Sequence, residues 1–515
     1  CTPLRRLQLL NLSGAPLAKL EDFPFQRTAQ LRKHRAAGPP LQTACANRFL
    51  SSIVAIYKNF SEICGLMRTF KNWIKKILDI RQRYKRKKYN EMVSSAEYLK
   101  WQNEILNKLY SAEIEKFQNN NYDYVICNQA GMFKESQNAY LYEAVYFLVD
   151  FQGHNYSFPF RERPICSKDD LILCHQKDIN HKLNRNEKKY YKLLKSTIHF
   201  PNNIGYALEK MSFERKFYFT AKACTYKMNV CTSSILEYEL YTMYLQTLKK
   251  GKKHNILPLT DMSQSQVLEY LPLRKKIHKA VCEEADGIFL NGNGRYALMG
   301  VQAMVFCKNK YSDSYDVLRI RRSKDVAVKA GFLQFIPSGG FSALNDSFDY
   351  GTQYSEFSVT KAILRELLEE CFGEEDFSGR KLQSTEKIYS DEIIKKMIKS
   401  ENFVFNFIGT TFSLVDLCHE LCFIIKIEDE DIISQIKQNE ECSNVIQFVS
   451  VENIEKEKFW IYDVKIDDYI IKVNDCALLN PTSAALWNMV QLSDTYKNEI
   501  ANKNDSIRKH IKREI

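Results

Sequence analysis

Apolar and aromatic residues recur along this chain in two rhythms. Short runs rich in Tyr, Phe, Val and Ile, bounded by polar turns, predict strands. In the first half these are YDYVICN (122–128), AYLYEAVYFLVDF (139–151) and KFYFTAKACTYKMNV (216–230). In the second half they are the run from Met299 to Cys307, YDVLRIRRS (315–323), GFLQFIPSGGF (331–341), NFVFNFIGTTFSLV (402–415), LCFIIKIED (421–429) and NVIQFVSVENI (444–454). Helical spacing takes over at Ser94–Phe117, at SSILEYELYTMYLQTLKK (233–250) and at Thr360–Cys371. The mixture predicts an α+β protein.

At 515 residues the chain is too long for one ordinary core, and the order of elements predicts several units. We expect helices over 49–119, an α+β domain over 120–285, a second compact domain over 286–490 and a polar C-terminal tail over 491–515. The second domain is expected to be a mixed sheet with a helix laid against it, because strand, glycine loop, helix and further strands follow one another there. Residues 1–48 differ from all that follows: they contain no Ile, Tyr or Met, and Arg outnumbers Lys six to two. They read as a segment of separate origin, to be kept out of fold reasoning, with Met67 as a plausible native start.

Composition narrows the function classes. An apolar content of 45% and a charged content of 26% are those of a folded globular protein. The net charge of +12 is concentrated between Met67 and Asn90, where ten Lys and Arg face the single Asp79. That leaves the remainder near neutral and argues against a nucleic-acid-binding surface. The basic stretch interleaves Phe70, Trp73, Ile74, Ile77, Leu78 and Ile80 with its lysines, so it could touch an anionic membrane or an acidic partner. The competing expectation is a helix packed on its own domain. No window is long and apolar enough to predict a transmembrane span. The fifteen cysteines form no Cys-x-x-Cys pair, and Cys418 and Cys422 flank His419 without a second ligand pair, so reduced thiols and a cytoplasmic location are expected. The scattered His154, His175, His181 and His199 are expected to be surface or core residues.

The chemistry gathers between Gly339 and Gly373. On a helix from Thr360 to Cys371, Ala362, Ile363, Leu364, Leu367 and Leu368 supply a packing face. Glu366, Glu369 and Glu370 stand at i, i+3 and i+4, which puts three carboxylates on one face. Like charges so close weaken a helix unless a cation offsets them, and oxygen donors suit Mg²⁺ or Mn²⁺. Arg365 is expected to point elsewhere and to hold an acid of the preceding loop.

RELLEE, with the Gly-Gly turn and Glu356 before it, resembles the signature of the Nudix superfamily. FLQFIPSGG is similar to that family's strand into a Pro-Gly-Gly turn, and VLRIRRS to the strand before it. The resemblance covers about 290–490 and implies an α/β/α sandwich with a mixed sheet. It implies metal-binding carboxylates at Glu366, Glu369 and Glu370, one of which, or a later acid, acts as general base. It further implies a structural role for Arg365 and a turn at Gly339 and Gly340 that approaches metal and phosphates, with Glu356 as the earlier acid of the motif. The later acid would come from Glu428 to Asp431 or from Glu440 and Glu441. The spacing departs from the family's pattern: four residues separate Gly351 from Glu356, eight separate Glu356 from Arg365, and Cys371 and Phe372 both precede Gly373. The implied activity is Mg²⁺-dependent hydrolysis of a nucleoside diphosphate linked to another moiety. The alternative is a non-catalytic Nudix-like module that senses a nucleotide or binds a partner.

Overall fold

The computed structural model describes residue 80 and residues 83–119, 125–130, 144–154, 171–173, 184–195, 203–213, 217–250, 262–281, 287–322, 331–345, 347–373, 385–438, 446–456 and 479–501. All fall in one compact unit, Asp79–Ile515. Twelve strands are described: β1 (Ile126–Ala130), β2 (Ala144–Leu148), β3 (Leu171–Leu173), β4 (Ile204–Ser212), β5 (Tyr218–Thr225), β6 (Gly300–Lys308), β7 (Tyr315–Arg321), β8 (Leu333–Phe335), β9 (Ser338–Gly340), β10 (Val404–Ser413), β11 (His419–Ile427) and β12 (Ile446–Ser450). Seven of them form the path β1-β2-β10-β11-β6-β7-β12, with β8 added on β7 and β9 on β6. β11 and β6 run parallel and the other pairs of this sheet antiparallel, so the sheet is mixed. A smaller sheet has the order β3-β5-β4.

Strand alternation sends side chains to two cores. On one face Val301, Ala303 and Val305 of β6 and Leu421, Phe423 and Ile425 of β11 meet Ala362, Ile363, Leu364, Leu367 and Leu368 of the helix Val359–Phe372. On the other, Met304, Phe306, Cys422 and Ile424 meet Ala484, Ala485, Leu486 and Met489 of the helix Pro481–Leu492. Helices therefore cover both faces of a mixed sheet, as expected for the C-terminal part.

Two boundaries fall elsewhere than expected. β1 and β2, placed by sequence in a domain of their own, are strands of the large sheet, because residues 144–148 pair with Gly409–Ser413 of β10. The first core likewise joins Leu208, Phe213 and Leu236 to Val301 and Leu421, so no break in the fold marks residue 285. Periodicity registers each strand but is silent on which strand it will pair with. Of the polar tail expected over 491–515, residues 491–501 are described, and there Tyr496 and Ile500 are buried in the second core.

The helix Ala96–Asn119 lies two residues on from its expected position. Of the basic stretch, residues 80 and 83–90 are described, and there Arg86 and Tyr89 are buried, the Tyr89 hydroxyl donating to Glu237 at 3.0 Å. One side of that part packs inward, while Ile80 and Tyr84 are exposed, at 67% and 69%. Phe70, Trp73, Ile74, Ile77 and Leu78 lie outside the described residues, as do His175, His181 and His199. No helix among the described residues is long and apolar enough to cross a membrane.

Candidate carboxylate site

The helix Val359–Phe372 starts where the Ser358 hydroxyl accepts the Lys361 N–H at 3.4 Å. It stops at Gly373, whose left-handed φ of 65° costs a glycine little. Between these caps the apolar face fixes the helix against the sheet, which turns the glutamates toward β9. There the fold makes a close approach: a Cβ on Gly339 would lie 2.0 Å from the carboxyl carbon of Glu366, so only glycine leaves that carboxylate its place. Gly340 has nothing within 4 Å of such a Cβ and is not required on this ground. One residue earlier, the Ser338 N–H donates to Glu370 Oε2 at 2.8 Å. Glu366 and Glu370 thus grip consecutive backbone positions of one short strand.

Glu370 carries the electrostatic strain. Burial, then the charge of Glu366 and more weakly that of Glu369, push its pKa up to about 8, while the Ser338 N–H and Arg322 pull the other way. A carboxyl whose pKa is raised by burial beside other acids marks a candidate site for a cation or a reacting group. Among the described residues, however, no three His, Cys, Asp or Glu side chains stand close enough together to hold a metal ion as placed.

Arg365 explains part of that, and its position corrects the expectation. Its long side chain curls back over the turn, donating to Ser342 O at 3.0 Å, to Gly340 O at 3.2 Å and to Ser342 Oγ at 3.3 Å. It also reaches Glu366 at 3.0 Å, and its Nε lies 3.9 Å from Glu369. A buried guanidinium must satisfy its donors, and backbone carbonyls of the turn are what the fold offers within reach. Burial alone would lower its pKa; Glu366 and Glu369 more than reverse that. Arg365 is therefore a clamp on the turn and on Glu366 rather than the holder of a loop acid. Glu356, at the end of the helix Tyr350–Glu356, is buried, accepts the Leu344 N–H at 3.3 Å and has its pKa raised by burial, against the opposing pull of that N–H and of Arg365.

Of the two places expected for the later acid, Glu428 to Asp431 is described, and its acids are engaged elsewhere. Glu428 accepts the Tyr315 hydroxyl and lies 3.6 Å from Lys426, and Asp429 caps the next helix through the N–H groups of Asp431 and Ile432, both at 3.0 Å. Glu430 pairs with Lys310 at 3.4 Å and Asp431 with Lys396 at 2.9 Å. These acids follow the far end of β11, about 26 Å along the strand from its start at a rise of about 3.3 Å per residue. Glu440 and Glu441 lie outside the described residues.

Glu420, near the start of β11, is the acid nearest to the turn in sheet register. It pairs with Gly300, which pairs in turn with Gly340, a span of two strand spacings or about 10 Å. Burial, with Asp416 adding to it and Thr482 and Arg322 opposing, pushes the Glu420 pKa up to about 7. Arg322, at the end of β7, feels both Glu420 and Glu370, and burial lowers its own pKa. The signal for Glu420 was a lone acid inside an apolar run, one residue before the expected strand. His419 beside it turns its Nε2 to Phe289 O at 2.7 Å and its Nδ1 to Thr410 Oγ1 at 3.3 Å.

Comparison with known proteins adds little to this geometry. No family model matches the chain. No curated protein matches it. Solved structures do match, among them the crystal structure of a mutT/nudix family protein from Listeria innocua, 12% identical, covering 31% of this chain and 82% of that one with a TM-score of 0.20. At that score the likeness carries no functional weight, and the residues themselves must carry it.

Proposed function

We propose that the chain is a Mg²⁺- or Mn²⁺-dependent hydrolase of a nucleoside diphosphate linked to another moiety, with a Nudix-like arrangement around the helix Val359–Phe372. The observation that supports this is the placement of Glu366 against Gly339 and of Glu370 on the Ser338 N–H, two carboxylates of one helix at consecutive positions of one short strand. Packing does not need two partly buried acids at neighbouring turns of the helix there. Oxygen-only donors and mutual repulsion fit a hard divalent cation, and Glu366, Glu369 and Glu370 are the residues that would hold it. Such a cation, when bound, neutralises a diphosphate and lowers the pKa of a water. The chain's own contribution is placement: Arg365 ties the turn to Glu366, Gly339 lets strand and carboxylate meet, and the Ser338 N–H orients Glu370.

The assay is turnover of a panel of nucleoside diphosphate derivatives with and without Mg²⁺, repeated with Glu369→Gln and Glu370→Gln. Each change is expected to lower kcat at least a hundredfold with the melting temperature retained. Turnover that survives both substitutions removes the proposal. A non-catalytic module that binds a nucleotide or a partner is the second reading, favoured by one observation: Arg365 occupies Glu366 and approaches Glu369, so three acids do not converge as placed. Nucleotide binding without product selects it.

A further inference from the structure

The basic stretch, for which the sequence offers two expectations, satisfies both of them on opposite sides of one helix. Residue 80 and residues 83–93 are helical. Arg86, Tyr89 and Val93, spaced by three and four, are buried. Tyr89 sets its ring edge-on to Tyr241 with centroids 4.9 Å apart and donates to Glu237 at 3.0 Å, which fixes this side against the helix Ile235–Lys250. The opposite side therefore has a set direction. It carries the exposed Ile80 and, four residues on, the exposed Tyr84, with Arg83, Lys87 and Lys88 exposed around them. The other large apolar residues exposed among the described residues, Tyr218, Leu248, Tyr270, Tyr311 and Leu492, stand far apart in sequence. Only here do two of them share a helical face.

A second helix extends the charge. Tyr89 and Tyr190 both rest against the Tyr238 ring, at centroid distances of 6.0 and 5.2 Å, so the helix Arg185–Lys195 neighbours the first across one side chain. It buries Glu187, Tyr190, Leu193 and Leu194 and exposes Arg185, Lys188, Lys189 and Lys192, which stand at i, i+3, i+4 and i+7. Its one acid is turned inward, Glu187 accepting the backbone and side-chain N–H groups of Asn184 at 2.8 and 2.7 Å. On the first helix Glu91 is exposed, and it lies 3.8 Å from Lys87. Counting Lys85, the two helices expose eight Lys and Arg against that one Glu.

We propose that this face docks on an anionic membrane surface, with Ile80 and Tyr84 entering the headgroup layer and the cations of both helices set against the charged headgroups. A cluster of about four to eight Lys and Arg is what an anionic leaflet attracts, each cation adding its share. Apolar side chains among the cations separate a lipid surface from a polyanion, because a nucleic-acid backbone offers phosphates but no hydrocarbon for an isoleucine. Tyrosine suits that boundary, with an apolar ring and a polar hydroxyl. No helix among the described residues is long and apolar enough to cross a membrane, and this face lies on the surface without spanning it.

Co-sedimentation of the full chain with vesicles tests this, using phosphatidylcholine alone and phosphatidylcholine mixed about two to one with phosphatidylserine. The mixed vesicles are expected to bind at least tenfold more tightly, and raising the salt from about 0.1 M to about 1 M, which shortens the screening length from about 10 Å to about 3 Å, should remove most of that difference. Lys188→Gln, Lys189→Gln and Lys192→Gln together, all outside the sequence stretch 67–90, should weaken binding to the mixed vesicles roughly a hundredfold, at about fivefold for each cation. Ile80→Ser with Tyr84→Ser should weaken it at least tenfold through the lost apolar contact. All five side chains are exposed, and circular dichroism verifies that each variant is folded. Equal binding to the two kinds of vesicle, or binding to neither, overturns the proposal, as does binding indifferent to the three lysines. Vesicle binding indifferent to Ile80 and Tyr84 overturns their insertion. Binding to double-stranded DNA or to polyglutamate without binding to vesicles assigns the face to a polyanion and overturns the membrane.

Discussion

Adding one methyl group at Gly339 is the sharpest perturbation of the site. In Gly339→Ala the new Cβ would sit 2.0 Å from both the carboxyl carbon and Oε2 of Glu366 and 2.4 Å from Oε1, far inside the 3.5–4.0 Å of an ordinary contact. The end of the Glu366 side chain is what can yield, and when it swings away it abandons Arg365, now 3.0 Å distant. Both groups are largely buried, with side-chain exposures of 6% for Arg365 and 13% for Glu366. A charge-assisted hydrogen bond of this kind contributes about 1.5–3 kcal/mol. Arg365 keeps its bonds to Gly340 and Ser342, which puts the loss at the lower end, and the smaller unfolded-state entropy of alanine offsets about 0.4–1 kcal/mol. The net expectation is a destabilisation of about 0.5–1 kcal/mol, measured by urea unfolding. A double-mutant cycle isolates the cause. Once Glu366 is alanine, nothing remains for the methyl to strike, so Gly339→Ala should then cost nothing or stabilise slightly. The cycle should therefore show a coupling of about 1.5 kcal/mol. Additivity of the two changes within about 0.3–0.5 kcal/mol would refute the close approach on which the site is built.

Arg365→Lys should destabilise by about 1–3 kcal/mol in the same measurement, because one ammonium cannot reproduce a fork that serves Gly340, Ser342 and Glu366 at once. An Arg365→Lys variant as stable as the parent would show that the clamp is dispensable. Gly373→Ala should lower the melting temperature through a cost of about 1–2 kcal/mol, since φ at this helix end is 65°. Acid should act through His419, which is 1% exposed and whose pKa burial lowers to about 3, with Arg295 adding to the fall and the Phe289 carbonyl opposing it. The sign is fixed: the unfolded chain takes up a proton near pH 6.5 that the folded chain refuses, so stability is full above that pH and declines below it. Between pH 7 and pH 5 this one group should remove about 2 kcal/mol, at about 1.36 kcal/mol per pH unit once well below 6.5. His419→Gln, compared with the parent in unfolding titrations at both pH values, should flatten that slope. An unchanged slope would place the acid sensitivity elsewhere, His278 being the next candidate at a pKa of about 4.

Most strands were readable because each is a run of Tyr, Phe, Val or Ile whose alternation survives in the fold, as Val301, Ala303 and Val305 against Met304 and Phe306 show, whereas β3 and β4 fall in segments where no strand was expected. The carboxylate helix was readable too, its apolar residues and its glutamates each recurring at helical spacing. Partnership between distant segments was not. β2 joins β10 more than 250 residues later, and no local pattern encodes that register. Arg365 defeated a reading by helical position alone because its side chain is long enough to reach back over its own turn. Glu420 was passed over because sequence assigns a charged residue beside a strand to solvent, while here Gly300 and the helix Pro481–Leu492 close around it.

The sheet gives the two acidic regions different partners for a physical reason. Glu366 meets the backbone at Gly339, the register partner of Val301 in the first core, whereas Glu420 alternates with Cys422 and Ile424, which enter the second. Carboxylates on opposite faces of one sheet cannot close on a single ion, but they can act on two parts of one extended ligand. Arg322 is the charge that senses both Glu370 and Glu420, so neutralising it would push both carboxyls further toward their protonated forms. A cation near Glu370 and a hydrogen-bond donor near Glu420 would each relieve what this one guanidinium cannot.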